Sequence, residues 1–473
     1  MKVLFASSEA RPFFSSGDLG EMAGGLSEAL NMRGDDVRVI MPLYGDIDSE
    51  WKRRFEYVAN FTVPVSWRSQ YCGLFKAEVR GVLFYFLDNE YYFKRDGVYG
   101  FYDDGERFAF FSRAVLEMLS HSDFAPDVIH CNDWQTGLAP VYLNLYYRHL
   151  DKFSRIKTVF TIHDLQYQGQ YGPEALEGTV GIGRENFHTI EFDGIVNYTK
   201  GAIEMADLVN TVSPTYAKEI MTPWYGHGLY EFLRLREGKL RGILNGVDTH
   251  KYDPSNDPDI AAVYDSSDFE GGKAECKKNL RDMLGLSKSD EPIIGMVTPF
   301  ETQKGLDLMR YMADEILGGG LQIVITGNGE AHYRRFFDEL AARHSGQFAV
   351  RPGKPPGLAR QIYAGSDMFL MPSKSEPCGI AHLSAMRYGS APIVRETGGL
   401  KDTVSDAASG GNGFTFAAYS ADEMRDACFR ARDMYRDREA WHKLVKRCME
   451  RDSGWSVPAN EYSAMYEETM GLW

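Results

Sequence analysis

Residues 371–404 constrain the fold more than any other stretch. They read MPSKSEPCGIAHLSAMRYGSAPIVRETGGLKDTV. The apolar run Met368-Phe369-Leu370-Met371 stops at Pro372 and Ser373. Glu376-Pro377-Cys378-Gly379 follows, and then a helical pattern begins. A second apolar run, 391–394, stops at Thr397-Gly398-Gly399-Leu400, where another helix starts. The order is strand, turn, helix, strand, turn, helix. In a parallel α/β sheet both turns lie at carboxyl ends of strands, where ligands bind. Helix N-termini there present free N–H groups that suit phosphate. Two ordinary βα turns, with Gly used for its backbone freedom, would have the same pattern, so this stretch alone leaves both readings open.

The same alternation runs along the chain. Residues 3–6 form a strand that enters the loop Ser15-Ser16-Gly17-Asp18-Leu19-Gly20, and a helix with Met22, Leu26 and Leu30 on one face follows. Further strands at 127–130 and 158–162 end in Cys131-Asn132-Asp133-Trp134 and His163-Asp164-Leu165. Residues 51–110 are more β-like, with strand candidates at 61–65 and 82–87. Aromatic rings are dense from 91 to 111, and part of that segment is expected to face solvent. The polar stretch 248–259, with Asn245-Gly246 before it and two Asp-Pro steps inside it, reads as an inter-domain linker. After it, βα units resume: 293–297 ends at Thr298-Pro299-Phe300, and 321–326 at Gly327-Asn328-Gly329. A chain of 473 residues is long for one core, so two domains are expected. The resulting fold class is α/β, with two doubly wound Rossmann-like domains facing a central cleft.

Composition narrows the partners. The net charge of −15 argues against nucleic acid or an anionic membrane as a bulk partner. No apolar run approaches the ~20 residues of a membrane span. Six scattered cysteines without a Cys-x-x-Cys pair indicate neither a disulfide framework nor a zinc site and fit a reducing cytoplasm. Glu9 and Arg11 follow the apolar start too soon for a signal peptide. A Walker A loop, a complete G-x-G-x-x-G and a Gly-x-Ser-x-Gly elbow are all missing. Asp46-Ile47-Asp48 and Asp257-Pro258-Asp259 have Asp-x-Asp spacing but read as solvated turn carboxylates. No metal site is expected.

The motifs then accumulate. KVLFASSEARPF (2–13), HCNDWQTGLAPVYL (130–143), TVFTIHDLQYQGQYG (158–172) and ADLVNTVSPTYAKEI (206–220) span the first half. GKLRGILNGVD (238–248), QKGLDL (303–308), GSDMFLMPSKSEPCGI (365–380) and IVRETGGLKDTV (393–404) continue it. In order and wording the chain resembles the bacterial glycogen synthases and plant starch synthases, ADP-glucose-dependent glucosyltransferases with the GT-B fold. The resemblance implies a retaining hexosyltransferase of glycogen biosynthesis that adds glucose from ADP-glucose to the non-reducing end of an α-1,4-glucan. It implies no cofactor and no metal, with ADP-glucose and α-glucan as partners in the cytoplasm. Residues 1–248 would be the acceptor-side domain and 249–455 the nucleotide-sugar-binding domain, while 456–473 would be a helix crossing back to the first. Glu376, His163 and Asp133 would be catalytic. Lys304, Gly17, Thr397, Gly398, Gly399 and Leu400 would bind the donor.

Four positions depart from the family pattern. The family's Lys-Thr-Gly-Gly-Leu loop is Ser15-Ser16-Gly17-Asp18-Leu19 here, a phosphate-binding Arg falls on Pro299, and an adenine-stacking aromatic falls on Lys354. Asp18 at ~5 Å from a phosphate charge would repel it by roughly 3 kcal/mol at an effective dielectric of ~20. Losing a bidentate Arg contact would cost about 2–5 kcal/mol more, unless Arg11, Lys354 or Arg395 compensates. These changes carry an alternative: a catalytically silent or attenuated paralogue that binds glucan or regulates an active synthase. Another nucleotide sugar as donor is a third reading. The triple substitution Ser15→Lys, Asp18→Gly, Pro299→Arg is expected to raise ADP affinity measured by calorimetry. Unchanged affinity would show that these positions do not limit donor binding.

Overall fold

An apolar strand with both faces covered cannot sit at a sheet edge, and Val3, Leu4, Phe5 and Ala6 have no exposed surface. The computed structural model describes residues 1–353 and 355–472. It divides into two units: residues 1–246 with the chain from Trp455 onward, and Val247–Gly454.

The first unit holds β1 (Lys2–Ala6), β2 (Asp36–Pro42), β3 (Glu56–Val65), β4 (Arg68–Val79), β5 (Val82–Asp88) and β6 (Val128–Asn132). It continues with β7 (Lys157–Ile162), β8 (Gln170–Tyr171), β9 (Glu191–Phe192), β10 (Ile195–Asn197), β11 (Leu208–Thr211) and β12 (Leu240–Gly242). Nine of these strands form one sheet in the order β12-β11-β7-β6-β1-β2-β5-β4-β3, and β8, β10 and β9 form a small antiparallel sheet. From β12 to β5 every pairing in the large sheet is parallel. Its far edge is an antiparallel extension, β5 to β4 to β3. Pro64 lies on the edge strand β3, where a missing N–H is tolerated. Successive crossovers leave β1 in opposite directions, so the strand order reverses between β1 and β6. The loops after these two strands therefore flank the unit's topological switch point.

The second unit is a six-stranded sheet: β13 (Ile293–Val297), β14 (Gln322–Gly327), β15 (Phe348–Pro352), β16 (Met368–Met371), β17 (Ala391–Arg395) and β18 (Phe414–Phe416). Its order is β15-β14-β13-β16-β17-β18, parallel throughout. The reversal lies between β13 and β16, which places the turns after those strands, 298–305 and 372–379, at the switch point.

The structure corrects the reading of 248–259, adds a strand the sequence did not signal, and bears out the partial exposure of the aromatic segment. The polar stretch 248–259 is not a free linker. Asp257 is 3% exposed. It accepts from Tyr388 and lies 3.5 Å from Arg360, which also pairs with the partly exposed Asp259, so the Asp257 carboxylate is not solvated. Arg387 Nε donates to the Tyr252 carbonyl and fastens the same stretch. β4 gave no separate sequence signal, because its RSQYCGLFKAEV mixes charged residues and glycine with a few apolar ones. Of the aromatic segment, Tyr91 and Tyr102 are exposed, while Tyr92, Phe93, Phe108, Phe110 and Phe111 are buried against the helix Asp104–Glu117 or within it.

The helix Ser456–Met470 packs on the first unit and buries Tyr462, Met465 and Tyr466. Tyr466 OH and His130 Nδ1 are 2.7 Å apart, His130 Nε2 bonds Thr161 Oγ1 at 2.6 Å, and Asn210 Nδ2 donates to Tyr462 OH at 3.0 Å. Among the described residues no helix is long and apolar enough to cross a membrane. Tyr466→Phe leaves a fully buried imidazole nitrogen unpaired and is expected to destabilise the chain by about 1–3 kcal/mol in urea unfolding. A midpoint equal to wild type would show that the helix does not depend on this bond.

Candidate active site

In the first unit, the carboxyl end of β1 delivers Ser7, Ser8 and Glu9, all buried. Glu9 reaches the loop that contains Ser15, Ser16 and Gly17. Its Oε2 accepts from Ser16 N at 2.5 Å, and its Oε1 accepts from Ser16 Oγ at 2.6 Å and Tyr99 OH at 2.7 Å. Ser15 Oγ donates to the Gly17 carbonyl. Asp18 is exposed and opens the helix Asp18–Met32, where a carboxylate favours the helix dipole. Arg11 pairs with Glu21, so its charge already has a partner.

The neighbouring loop after β6 brings Asp133 and His163 together. Asp133 has φ 56°, the left-handed region that a non-glycine residue enters at a cost. Its N–H donates to the Thr161 carbonyl, and its Oδ1 accepts from His163 N at 2.7 Å. His163 Nε2 lies 3.0 Å from Asn132 Oδ1. Because the Asn132 amide nitrogen donates to the Ala6 carbonyl, Oδ1 is the acceptor, and His163 carries its proton on Nε2. His163 Nδ1 is then a bare acceptor, buried and without a hydrogen-bond partner among the described residues. Burial pushes the Asp133 carboxyl up to about 8; the His163 N–H opposes this, while Asp164 and Glu9 add to it. Burial also holds His163 down at about 3, so both shifts favour the neutral forms of the pair.

In the second unit, Lys304 closes the turn after β13 and Glu376 follows β16. Lys304 Nζ lies 2.9 Å from both carboxylate oxygens of Glu376, and Ser373 Oγ donates to Oε2 at 2.8 Å. Glu376 is only 4% exposed, so its charge depends on these donors. Arg395 is engaged structurally. Its Nε donates to the Ser373 carbonyl and its Nη2 to the Lys374 carbonyl, holding the turn that carries Glu376.

The glycine turn packs directly on that one. Gly399 N donates to the Glu376 carbonyl at 3.2 Å, and a Cβ at Gly398 would stand 2.0 Å from the same oxygen. A Cβ at Gly399 would stand 2.0 Å from the Cys378 carbonyl. Gly398 has φ 44°, so both backbone angle and space call for glycine. Thr397, Gly398, Gly399 and Leu400 are thus buried beside Glu376. Pro299 is exposed in the turn after β13, and Lys354 lies outside the described residues.

Sequence reasoning did not assign Glu9, Asn132 or Ser373. Their signal is position alone: each follows or ends a strand that borders a switch point. Asn245, read only as half of a turn, has both side-chain amide atoms buried without a partner among the described residues. A buried amide left in that state is a candidate ligand contact.

Comparison with known proteins decides the family. Residues 2–235 match the starch synthase catalytic domain, and 283–447 match glycosyl transferases group 1. The glycogen synthase of Clostridium novyi (strain NT) is 46% identical over 480 residues, covering 100% of both chains. That of Geobacillus stearothermophilus is 46% identical, covering 99% of this chain and 98% of its own. The chain belongs to the glycogen synthase and starch synthase family. A structure of the catalytic domain of starch synthase IV from Arabidopsis thaliana, bound to ADP and acarbose, matches with TM-score 0.92 at 33% identity over 99% of each chain. Sucrose-phosphate synthase from Thermosynechococcus elongatus shares the fold, with TM-score 0.61 at 17% identity over 100% of this chain and 99% of its own. The architecture is GT-B, two Rossmann-like α/β units with parallel sheets, in a family of glucosyltransferases.

The buried pair makes stability depend on pH in opposite senses. Asp133 titrates near 3.9 when unfolded, so between about 4 and 8 only the folded chain holds its proton. Its contribution is full below about pH 4 and is lost as pH rises through about 8. His163, depressed to about 3, contributes above its unfolded value of about 6.5 and loses that contribution as pH falls through about 3. Between about pH 6.5 and 8 the Asp133 slope, up to ~1.4 kcal/mol per pH unit, stands without the opposing one. Asp133→Asn is expected to remove that decline from the urea-unfolding free energy. Parallel slopes for variant and wild type would show that Asp133 is ionised in the folded chain.

Proposed function

We propose that the chain transfers glucose, with retention, from ADP-glucose to the non-reducing end of an α-1,4-glucan, in the cytoplasm. The observation that carries this reading is Glu376, a buried carboxylate gripped at both oxygens by Lys304 and packed against Gly398-Gly399 at the switch point of the second sheet. That arrangement occurs in a chain that aligns end to end with glycogen synthases. It supports a donor site in residues 249–455, with residues 1–248 on the acceptor side and 456–473 attached to them.

Transfer from a sugar diphosphate develops negative charge on the leaving phosphate and positive charge on the sugar. Lys304 is the mobile partner in this reading: it neutralises Glu376 when the site is empty and turns to the diphosphate when donor enters. Glu376 then stands beside the cationic sugar and stabilises it electrostatically. In this reading the turn Thr397-Gly398-Gly399-Leu400 borders the donor phosphate in the second unit, and Gly17 is the donor-binding position of the first. The bare Nδ1 of His163 accepts a sugar hydroxyl, and the protonated Asp133 holds the His163 loop. Neither Glu376 nor the cations call for a metal.

The described departures at Ser15, Asp18 and Pro299 do not dismantle either cluster. Lys304 with Glu376, Asp133 with His163, and the glycine turn are all assembled. Among the described residues these intact clusters favour the active synthase over a silent paralogue.

Incorporation of labelled glucose from ADP-glucose into glycogen tests the activity. Glu376→Ala is expected to lower kcat by about 10²–10³, the scale of losing one preorganised electrostatic group. No incorporation by wild type at saturating donor would overturn the reading, and a variant as active as wild type would remove Glu376 from the chemistry.

A further inference from the structure

The loop 15–17 carries no cation, and it is held by a buried anion. Glu9 is 2% exposed, and its two oxygens take three hydrogen bonds, two of them from the single residue Ser16. Tyr99 OH donates to Glu9 and in turn accepts from Ser8 Oγ at 2.8 Å, which fixes the direction of that bond. Ser7 Oγ donates to the Glu9 carbonyl at 2.6 Å and accepts from Glu9 N at 3.3 Å, so the backbone behind the carboxylate is also anchored. A carboxylate is the side chain suited to this place, because all three groups facing it are donors and it offers only acceptors. Bonds to a charged acceptor are about twice as strong as neutral ones.

We propose that Glu9 is the positioning residue of the donor loop: by gripping the Ser16 N–H and hydroxyl it sets the direction of the Gly17 backbone toward the donor phosphates. This rests on the ADP-glucose reading above. Preorganised N–H groups act on a phosphate only if they need not be ordered at the moment of binding. Among the described residues Gly17 has no neighbour within 4 Å of a Cβ position, so none of them packs on its α-carbon to supply that order. The order comes one residue earlier, through Ser16.

Glu9→Gln preserves volume and replaces one acceptor by a donor. It sets an N–H₂ either against the Ser16 N–H or against two hydroxyls that point toward it. Glu9 also acts on Asp133, so the charge-preserving variants Ser16→Ala and Tyr99→Phe separate loop positioning from that effect. Kinetics with ADP-glucose and glycogen, together with amide hydrogen exchange of the peptide 13–19, read all three variants in the full chain.

Glu9→Gln is expected to raise KM for ADP-glucose about tenfold, the effect of losing about one charged hydrogen bond. Kcat should fall by less than KM rises, and KM for glycogen should stay near the wild-type value. Ser16→Ala and Tyr99→Phe should move KM for ADP-glucose in the same direction by smaller factors, with faster exchange in 13–19. An unchanged KM for ADP-glucose in Glu9→Gln, or equal changes in both KM values, would overturn the inference. If wild type incorporates no glucose, the donor reading is what fails. Hydrogen exchange then decides the loop: protection lost in Glu9→Gln supports the grip, and protection retained refutes it.

Discussion

Parallel strand pairing around a fully buried strand governs both units. A parallel neighbour cannot be reached by a tight turn, so each strand is followed by a crossover that covers a sheet face. Covering both faces is what allows β1 and β13 to be apolar along most of their length. The chain leaves each central strand first in one direction and later in the other. The loops on either side of that reversal diverge and leave a crevice at the strands' carboxyl ends. Glu9 and Asp133 flank the reversal in the first sheet, and Lys304 and Glu376 flank it in the second. The candidate site residues therefore lie where strand order alone leaves room for a ligand.

Burial at such a crevice creates an electrostatic problem that the two units solve differently. Taking a carboxylate out of water costs several kcal/mol unless it is paired or protonated. Glu376 is paired, with Lys304 and Ser373 supplying donors to both oxygens. Asp133 forms no ion pair among the described residues, and burial instead favours its neutral form, pushing the carboxyl up to about 8. Glu9 takes a third course and stays surrounded by neutral donors. Three carboxyl groups in similar strand-end positions thus present three different chemical faces.

The fold was legible in the sequence because buried parallel strands read as short apolar runs between glycine-bearing turns. Residues 3–6, 158–162, 293–297 and 368–371 all appear that way. β4 did not, since an antiparallel strand with one face near solvent mixes charged and apolar residues, and Arg68 to Val79 has no clean period of two. The site was legible where its residues share one turn, as at 376–379 and 397–400. Partners distant in sequence were not. Lys304 and Glu376 are 72 residues apart, and Glu9 and Tyr99 are 90. Neither pairing leaves a local pattern. Asp257 misled for the same reason: its surroundings in sequence are polar, while Arg360 and Tyr388, which bury it, come from another part of the unit.

The departures at 15, 18 and 299 look different once exposure is known. The penalty assigned to Asp18 from sequence assumed a partly shielded charge, roughly 3 kcal/mol at ~5 Å and a dielectric of ~20. Asp18 is exposed on the first turn of a helix. At the dielectric of water the same pair interacts by only about 0.8 kcal/mol, and salt screens it further. Against that stands a gain of about 0.3–1 kcal/mol from a carboxylate at a helix N-terminus. Pro299 is likewise on the surface. An arginine there would be solvated when unbound, so losing it forfeits an exposed contact rather than stranding a buried charge. Glu376, by contrast, sits where removal of Lys304 would leave a buried carboxylate without its cation. The intact pair lies where a change would cost most, and two of the described departures, at 18 and 299, lie where the solvent absorbs most of the cost.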